Sequence, residues 1–247
     1  MRSPDESSFE MLKYLFANSE LKGLLEFVSP QFWSVAQPLH LFSVANRLAQ
    51  NRKDGERWGK ISQRLLNPEG GLPVDRAGDA AHVGRAVLEH FFRQILESST
   101  WILDFRPDAF PCWKESSLVW APQVWFFDVS PEFAEGIRGV YRGFYGGDDG
   151  LFQGSLQALG LEAATEAFRA HFGASDQSAV EFRLKTFQAT FGKVFEACAG
   201  AGVKLHPDFF VLGICLLTLY ENLESLNAPL DVRGAFQQAL QPKPQVR

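Results

Sequence analysis

Histidine, cysteine and methionine are scarce in this chain: 5, 3 and 2 residues among 247. None of His40, His82, His90, His171 and His206 falls in an HExxH or ExxH pattern. His82 and His90 stand eight apart, about 80° around a helix, which is poor geometry for a shared ion. Cys112, Cys198 and Cys215 form no CxxC pair, so zinc spacing is absent as well. A sparse, odd set of cysteines fits a reducing compartment, with Cys198 and Cys215 as small apolar fillers. There is no GxSxG nucleophile turn, no GxGxxG after a strand and no Walker loop. Gly136, Gly139, Gly143, Gly146 and Gly147 fall on or just after an expected helix and read as helix packing or a helix end. Positive charge never gathers into a block. The densest patch, Arg52, Lys53, Arg57, Lys60 and Arg64, is diluted by Asp54 and Glu56, and the chain carries a net −5. That excludes a nucleic-acid footprint and makes the patch a solvated helix face. The longest apolar run, Phe209 to Tyr220, is short of the ~20 residues that span a bilayer. The opening MRSPDESSFE is polar and acidic, without a targeting pattern. A cytoplasmic protein with no transmembrane segment is expected.

What the chain has in quantity is phenylalanine, 23 residues, within an ordinary 46% hydrophobic and 21% charged composition. Large rigid rings therefore fill the core or surround an apolar pocket. The apolar spacing is helical almost throughout. Residues 8–28 suggest a bent helix, Ser29–Pro30 opens another, and Pro38 interrupts it before Leu39 to Gln50. A further helix runs from Glu56 to Leu66, and NPEGGLPVD (67–75) is the clearest linker. From Asp79, Val83, Val87, Phe91 and Ile95 form one stripe beside Leu88, Phe92 and Leu96, an apolar face wide enough to be central. TWILDF (100–105), SLVWA (117–121) and QVWFF (123–127) are short β-prone runs separated by prolines. Helices are then expected from Ser130-Pro131 to Gly146, after Asp148 to Gly160, over Glu162–Phe172, Asp176–Cys198, Pro207–Leu226 and Asp231–Leu240. The expected fold is mainly α, with two or three short strands around residues 100–127. Its parts are a helical extension (1–66), a linker (67–75), a helical domain (76–240) and a polar tail (241–247).

Two acids follow apolar runs, where a strand end can present a carboxylate to a cleft: Asp104 in WILDFRPDAF and Asp128 in VWFFDVSPEF. Each taken alone reads as a turn or cap residue. Taken with GGLPVDRAGDAAHVGRAVLEHFFRQILESST before them, and with AGVKLHPDFFVLGICLLTLYENLESLNAPLDV near the C-terminus, residues 70–228 resemble the carboxy-terminal lobe of the UbiB/AarF atypical kinase-like family. Asp104 and Pro107 match the aspartate and second proline of that family's HADPHPGN loop. Asp128 matches the aspartate of its DFG. Ile102 stands in place of the loop histidine, Arg106 of the second histidine and Ala109 of the metal-binding asparagine. Val129-Ser130 replaces Phe-Gly. The KxGQ segment and the alanine-rich nucleotide loop are absent.

Phosphoryl transfer depends on positioning and neutralising the phosphates, usually through Mg²⁺, and losing one such contact costs ~10²–10³-fold in rate. With several lost, the resemblance implies a non-catalytic, pseudokinase-like accessory or binding protein. Its partner is an enzyme, another protein or an apolar small molecule. A divergent ATP- and Mg-dependent phosphotransferase or ATPase is the second reading. In it, the resemblance makes Asp104 the base or phosphate-side acid, Arg106 a phosphate contact and Asp128 the metal ligand. It requires Asp104 and Asp128 to face one cleft. A third reading is an unrelated helical domain with an aromatic-lined cavity for an isoprenoid, acyl or pigment-like ligand.

Overall fold

Serial helices make up most of the protein. The computed structural model describes residues 38–65, 72–73, 80–110, 112–114, 117–172 and 179–241. The helices expected over residues 8–28 and from Ser29-Pro30 lie outside the described residues. The helices are α1 (Pro38–Asn51), α2 (Gly55–Leu65), α3 (Ala80–Glu97), α4 (Pro131–Gly146), α5 (Asp149–Ala158), α6 (Thr165–Phe172), α7 (Leu184–Gly200), α8 (Asp208–Ser225) and α9 (Val232–Ala239). The short strands are β1 (Leu72–Pro73), β2 (Thr100–Ile102), β3 (Cys112–Lys114), β4 (Ser117–Val119) and β5 (Phe126–Asp128). They form two small antiparallel sheets, β1-β4-β3 and β2-β5. The fold is thus mainly α with short strands near residues 100–127, as the patterning implies. β1 and β3 are additions, and β1 ties part of the 67–75 stretch to Ser117 and Leu118.

Local signals set the helix ends. The Ser130 hydroxyl accepts the Phe133 N–H and Pro131 takes the first helical position of α4. Asp148 and Asp231 cap α5 and α9 in the same way. Gly147 closes α4 in the left-handed conformation, φ 76°. Gly139 and Gly143 put α4 directly against α5: a Cβ on Gly143 would lie 2.4 Å from the main-chain nitrogen of Phe152.

Helices α3 and α8 occupy the centre. Both apolar stripes of α3 are buried, and α8 is buried nearly all round from Phe209 to Tyr220. Cys198 and Cys215 are fully buried fillers. Helix α9 packs across α3, where the Arg93 guanidinium donates to the Gln238 and Gln241 carbonyls at its C-terminal end. The helix expected from Asp176 begins only at Leu184. Val180 instead exchanges two 2.9 Å main-chain hydrogen bonds with Leu230, and Phe182 packs on Tyr220. That long-range bridge holds the chain extended where the local spacing favoured a helix.

The β2-β5 ladder is closed at both edges by side chains. In antiparallel pairing, alternate residues direct their N–H and C=O groups outward. On β5 those groups belong to Phe126 and Asp128, whose carbonyls accept from Asn51 (2.9 Å) and Arg47 (3.0 Å). One helical turn on α1 spans about 6 Å, close to two residues of strand, so the two donors meet the two acceptors in register. Rings reinforce the junction. Arg47 lies over Phe127, Arg57 over Phe126 and Arg52 over Trp125, at 4.2, 5.1 and 5.3 Å. Trp58 stacks on Phe126. Arg52 and Arg57 therefore clasp the ladder, which corrects the reading of that basic patch as merely a solvated face. Lys60 does conform to it, pairing with Glu56 at the surface.

Candidate functional site

Asp104 and Arg106 come together just past the end of β2. Asp104 is 1% exposed; its Oδ1 accepts from the Arg106 Nε (2.8 Å) and its Oδ2 from the Gln123 N–H (2.8 Å). The Arg106 guanidinium lies 4.6 Å above the Trp125 ring. The Asp104 carbonyl accepts from the Trp120 indole, and Thr218 and Asn222 of α8 donate to the carbonyls of Leu103 and Phe105. Asp104 therefore anchors this irregular segment to the loop before β5, while its neighbours Leu103 and Phe105 tie it to α8. Glu221, one residue before Asn222, has its pKa raised by partial burial; nearby Arg106 opposes the shift, and Asp104 and Asp108 add to it.

Asp128 stands at the other end of the ladder, opposite Thr100. Its carboxylate accepts from the Thr100 hydroxyl (2.7 Å) and pairs with the Arg57 guanidinium. Four residues of extended chain separate Thr100 from Asp104, about 13 Å at the strand rise. The two acids face different surroundings. Among the described residues, no group of three His, Cys, Asp or Glu side chains could hold a metal ion.

Asp128 does border a cleft, of about 470 Å³, that the sequence did not disclose. Its floor is Asp128–Ser130. One wall is Ser43, Val44 and Arg47 of α1; the other is His206-Pro207-Asp208 at the head of α8. Asp208 is 5% exposed and accepts the Ser130 N–H at 2.7 Å, which locks the start of α4 to the start of α8. His206 stacks on Phe133, and its Nδ1 accepts the Asp208 N–H at 3.1 Å. In the neutral ring the hydrogen is then on Nε2. The cleft therefore offers the Arg47 guanidinium, the Ser43 hydroxyl and the His206 Nε2–H as donors, beside the apolar Val44 and Val129. Ser130-Pro131 was legible as a helix start and His206 as a lone histidine, but nothing local joins them to Arg47.

A second, smaller chamber of about 40 Å³ lies inside the helical body, among α3, α4, α6, α8 and α9. At roughly three waters it is too small for an isoprenoid, acyl chain or pigment. Among the described residues, no helix is long and apolar enough to cross a membrane. No protein-family model, curated protein or solved structure matches the chain.

Proposed function

We propose that this protein is an accessory or binding protein, and that the cleft between α1 and the heads of α4 and α8 is where it takes its ligand. The observation that carries this reading is the engagement of both sequence-identified acids. Asp104 is spent on Arg106 and the Gln123 amide, and Asp128 on Arg57 and Thr100. Side chains committed in this way serve the architecture, which supports a binding role over phosphoryl transfer. The cleft has the size of a small-molecule site and a mixed lining, with donors from two separate segments, α1 and the head of α8. That suits a small molecule, or the side chains of a protein partner, carrying hydrogen-bond acceptors.

A nucleotide reading keeps one supporting observation: Asp128 and Arg47 border the same cleft. Calorimetric titration of the full chain with ATP and Mg²⁺, for wild type and Asp128→Ala, separates the two. The binding-protein reading expects no nucleotide heat at millimolar ATP. A Mg²⁺-dependent heat that vanishes in the variant sinks it in favour of a divergent ATP-dependent enzyme.

A further inference from the structure

Three tyrosines point to a site that the cleft does not involve. Tyr141 and Tyr145 lie one turn apart on α4, and Tyr220 comes from α8. All three line the 40 Å³ chamber, together with His171 of α6 and a wall of Leu, Phe and Val side chains. They are 5, 7 and 9% exposed. A phenol buried to this degree ordinarily finds a hydrogen-bond partner. These three hydroxyls have none among the described residues, so the chamber is what they face. The Tyr141 and Tyr145 rings stack with centroids 6.3 Å apart. Burial raises both pKa values; Tyr145, Cys215 and Tyr220 add to the shift at Tyr141, and at Tyr145 Tyr220 adds to it while Arg233 opposes it. They remain neutral phenols, each able to donate one hydrogen bond and accept others.

His171 completes the lining. Its Nδ1 is 3.2 Å from the Thr190 hydroxyl, which is itself 3.0 Å from the carbonyls of Thr186 and Phe187. A hydroxyl has one hydrogen, and here it goes to a carbonyl. Thr190 therefore accepts from Nδ1–H, and the lone pair of the neutral imidazole is on Nε2. Burial lowers the His171 pKa to about 4, so the ring is neutral near pH 7. The nearest cation, Arg233, donates to the Tyr145 main-chain carbonyl rather than to the chamber. Among the described residues no Lys or Arg lines the chamber, and an imidazole lone pair repels an anion.

We propose that this chamber is a binding site for a small neutral molecule that accepts hydrogen bonds from the tyrosine hydroxyls and donates one to His171 Nε2, a primary carboxamide or a compound of like chemistry. Room for roughly three waters limits the occupant to a few non-hydrogen atoms.

Acetamide is the probe, titrated into the full chain at neutral pH and followed by ligand-observed NMR and by thermal unfolding. The companion variants are Tyr141→Phe, Tyr145→Phe, Tyr220→Phe and their combination. Each keeps the ring and its packing and removes only an unpaired hydroxyl, so the fold is expected to survive. Saturable binding to wild type is expected, weakened by about tenfold per hydroxyl that contacts the probe, the worth of one hydrogen bond. Acetone has nearly the same shape but no N–H, and is expected to bind more weakly. Acetate is expected to bind poorly at neutral pH. Absence of saturable acetamide binding overturns the proposal, leaving a water-filled packing defect. Equal binding by the triple variant, or equal or tighter binding of acetone or acetate, overturns it too.

Discussion

Gln94 and Ile102 exchange two hydrogen bonds: the side-chain amide donates to the Ile102 carbonyl (2.9 Å) and its oxygen accepts the Ile102 N–H (2.8 Å). A buried carboxamide on α3 thus takes the place of a missing strand beside β2. It is the counterpart of what Arg47 and Asn51 do for β5. A two-stranded ladder would otherwise leave main-chain groups unpaired in the core, at about 1–3 kcal/mol for each.

Gln94→Leu preserves size and burial but leaves the Ile102 N–H without its acceptor and the carbonyl with only the weak Cys215 thiol contact at 3.8 Å. We expect a loss of about 2–4 kcal/mol in urea unfolding, with far-ultraviolet circular dichroism of the folded state unchanged. A loss below the measurement error would mean that water or a shifted neighbour satisfies Ile102.

The two acids make opposite predictions despite similar sequence settings. Asp104→Ala leaves Arg106 without its buried carboxylate and the Gln123 N–H without an acceptor, at about 3–5 kcal/mol. The Asp128 side chain is a third exposed and its partner Arg57 more so. Asp128→Ala is expected to cost about 1 kcal/mol, and less at high salt. Denaturant midpoints for both variants at two ionic strengths check the order. Equal losses would contradict the difference in burial.

Gly143 tests the α4-α5 contact. A methyl group there meets the main chain of Phe152, which cannot rotate aside. Gly143→Ala raises intrinsic helix propensity, yet is expected to destabilise by about 1–3 kcal/mol through overpacking. Gly146→Ala is the control: nothing lies within 4 Å of its position, so the propensity gain should show as a small stabilisation. Thermal unfolding of the pair gives both signs in one experiment.

What was legible in the sequence was local. Ser130-Pro131, Asp148, Asp231 and Gly147 each act within a few residues, and each marks the helix boundary it suggested. The double stripe of α3 marks its central place, because periodicity reports burial directly. The start of α7 was misread, since Val180 fits the helical stripe equally well and only Leu230, fifty residues on, decides against it. Asp104 and Asp128 were visible as acids at the ends of apolar runs, but their partners Gln123, Thr100 and Arg57 are set by strand register and helix docking. The cleft escaped for the same reason: residues 43–47, 128–130 and 206–208 share no pattern that a linear reading can join.

His171 provides the pH test. Its pKa falls from an ordinary 6.5 to about 4 because burial disfavours the charged ring. Above pH 6.5 both folded and unfolded chains carry it neutral, and its contribution is complete. As pH falls from about 6.5 to 4 the unfolded chain takes up a proton that the folded one refuses, so stability drops by up to about 3 kcal/mol and then levels off. Unfolding free energies measured across this window should slope upward with pH, and His171→Phe, which cannot protonate, should flatten that slope while shifting the overall stability by its own packing term. The other four histidines are common to both proteins, so the difference between the two curves isolates His171. An unchanged slope in the variant would place the ring in contact with water and would remove the reason for a fixed Nε2 lone pair at the tyrosine chamber.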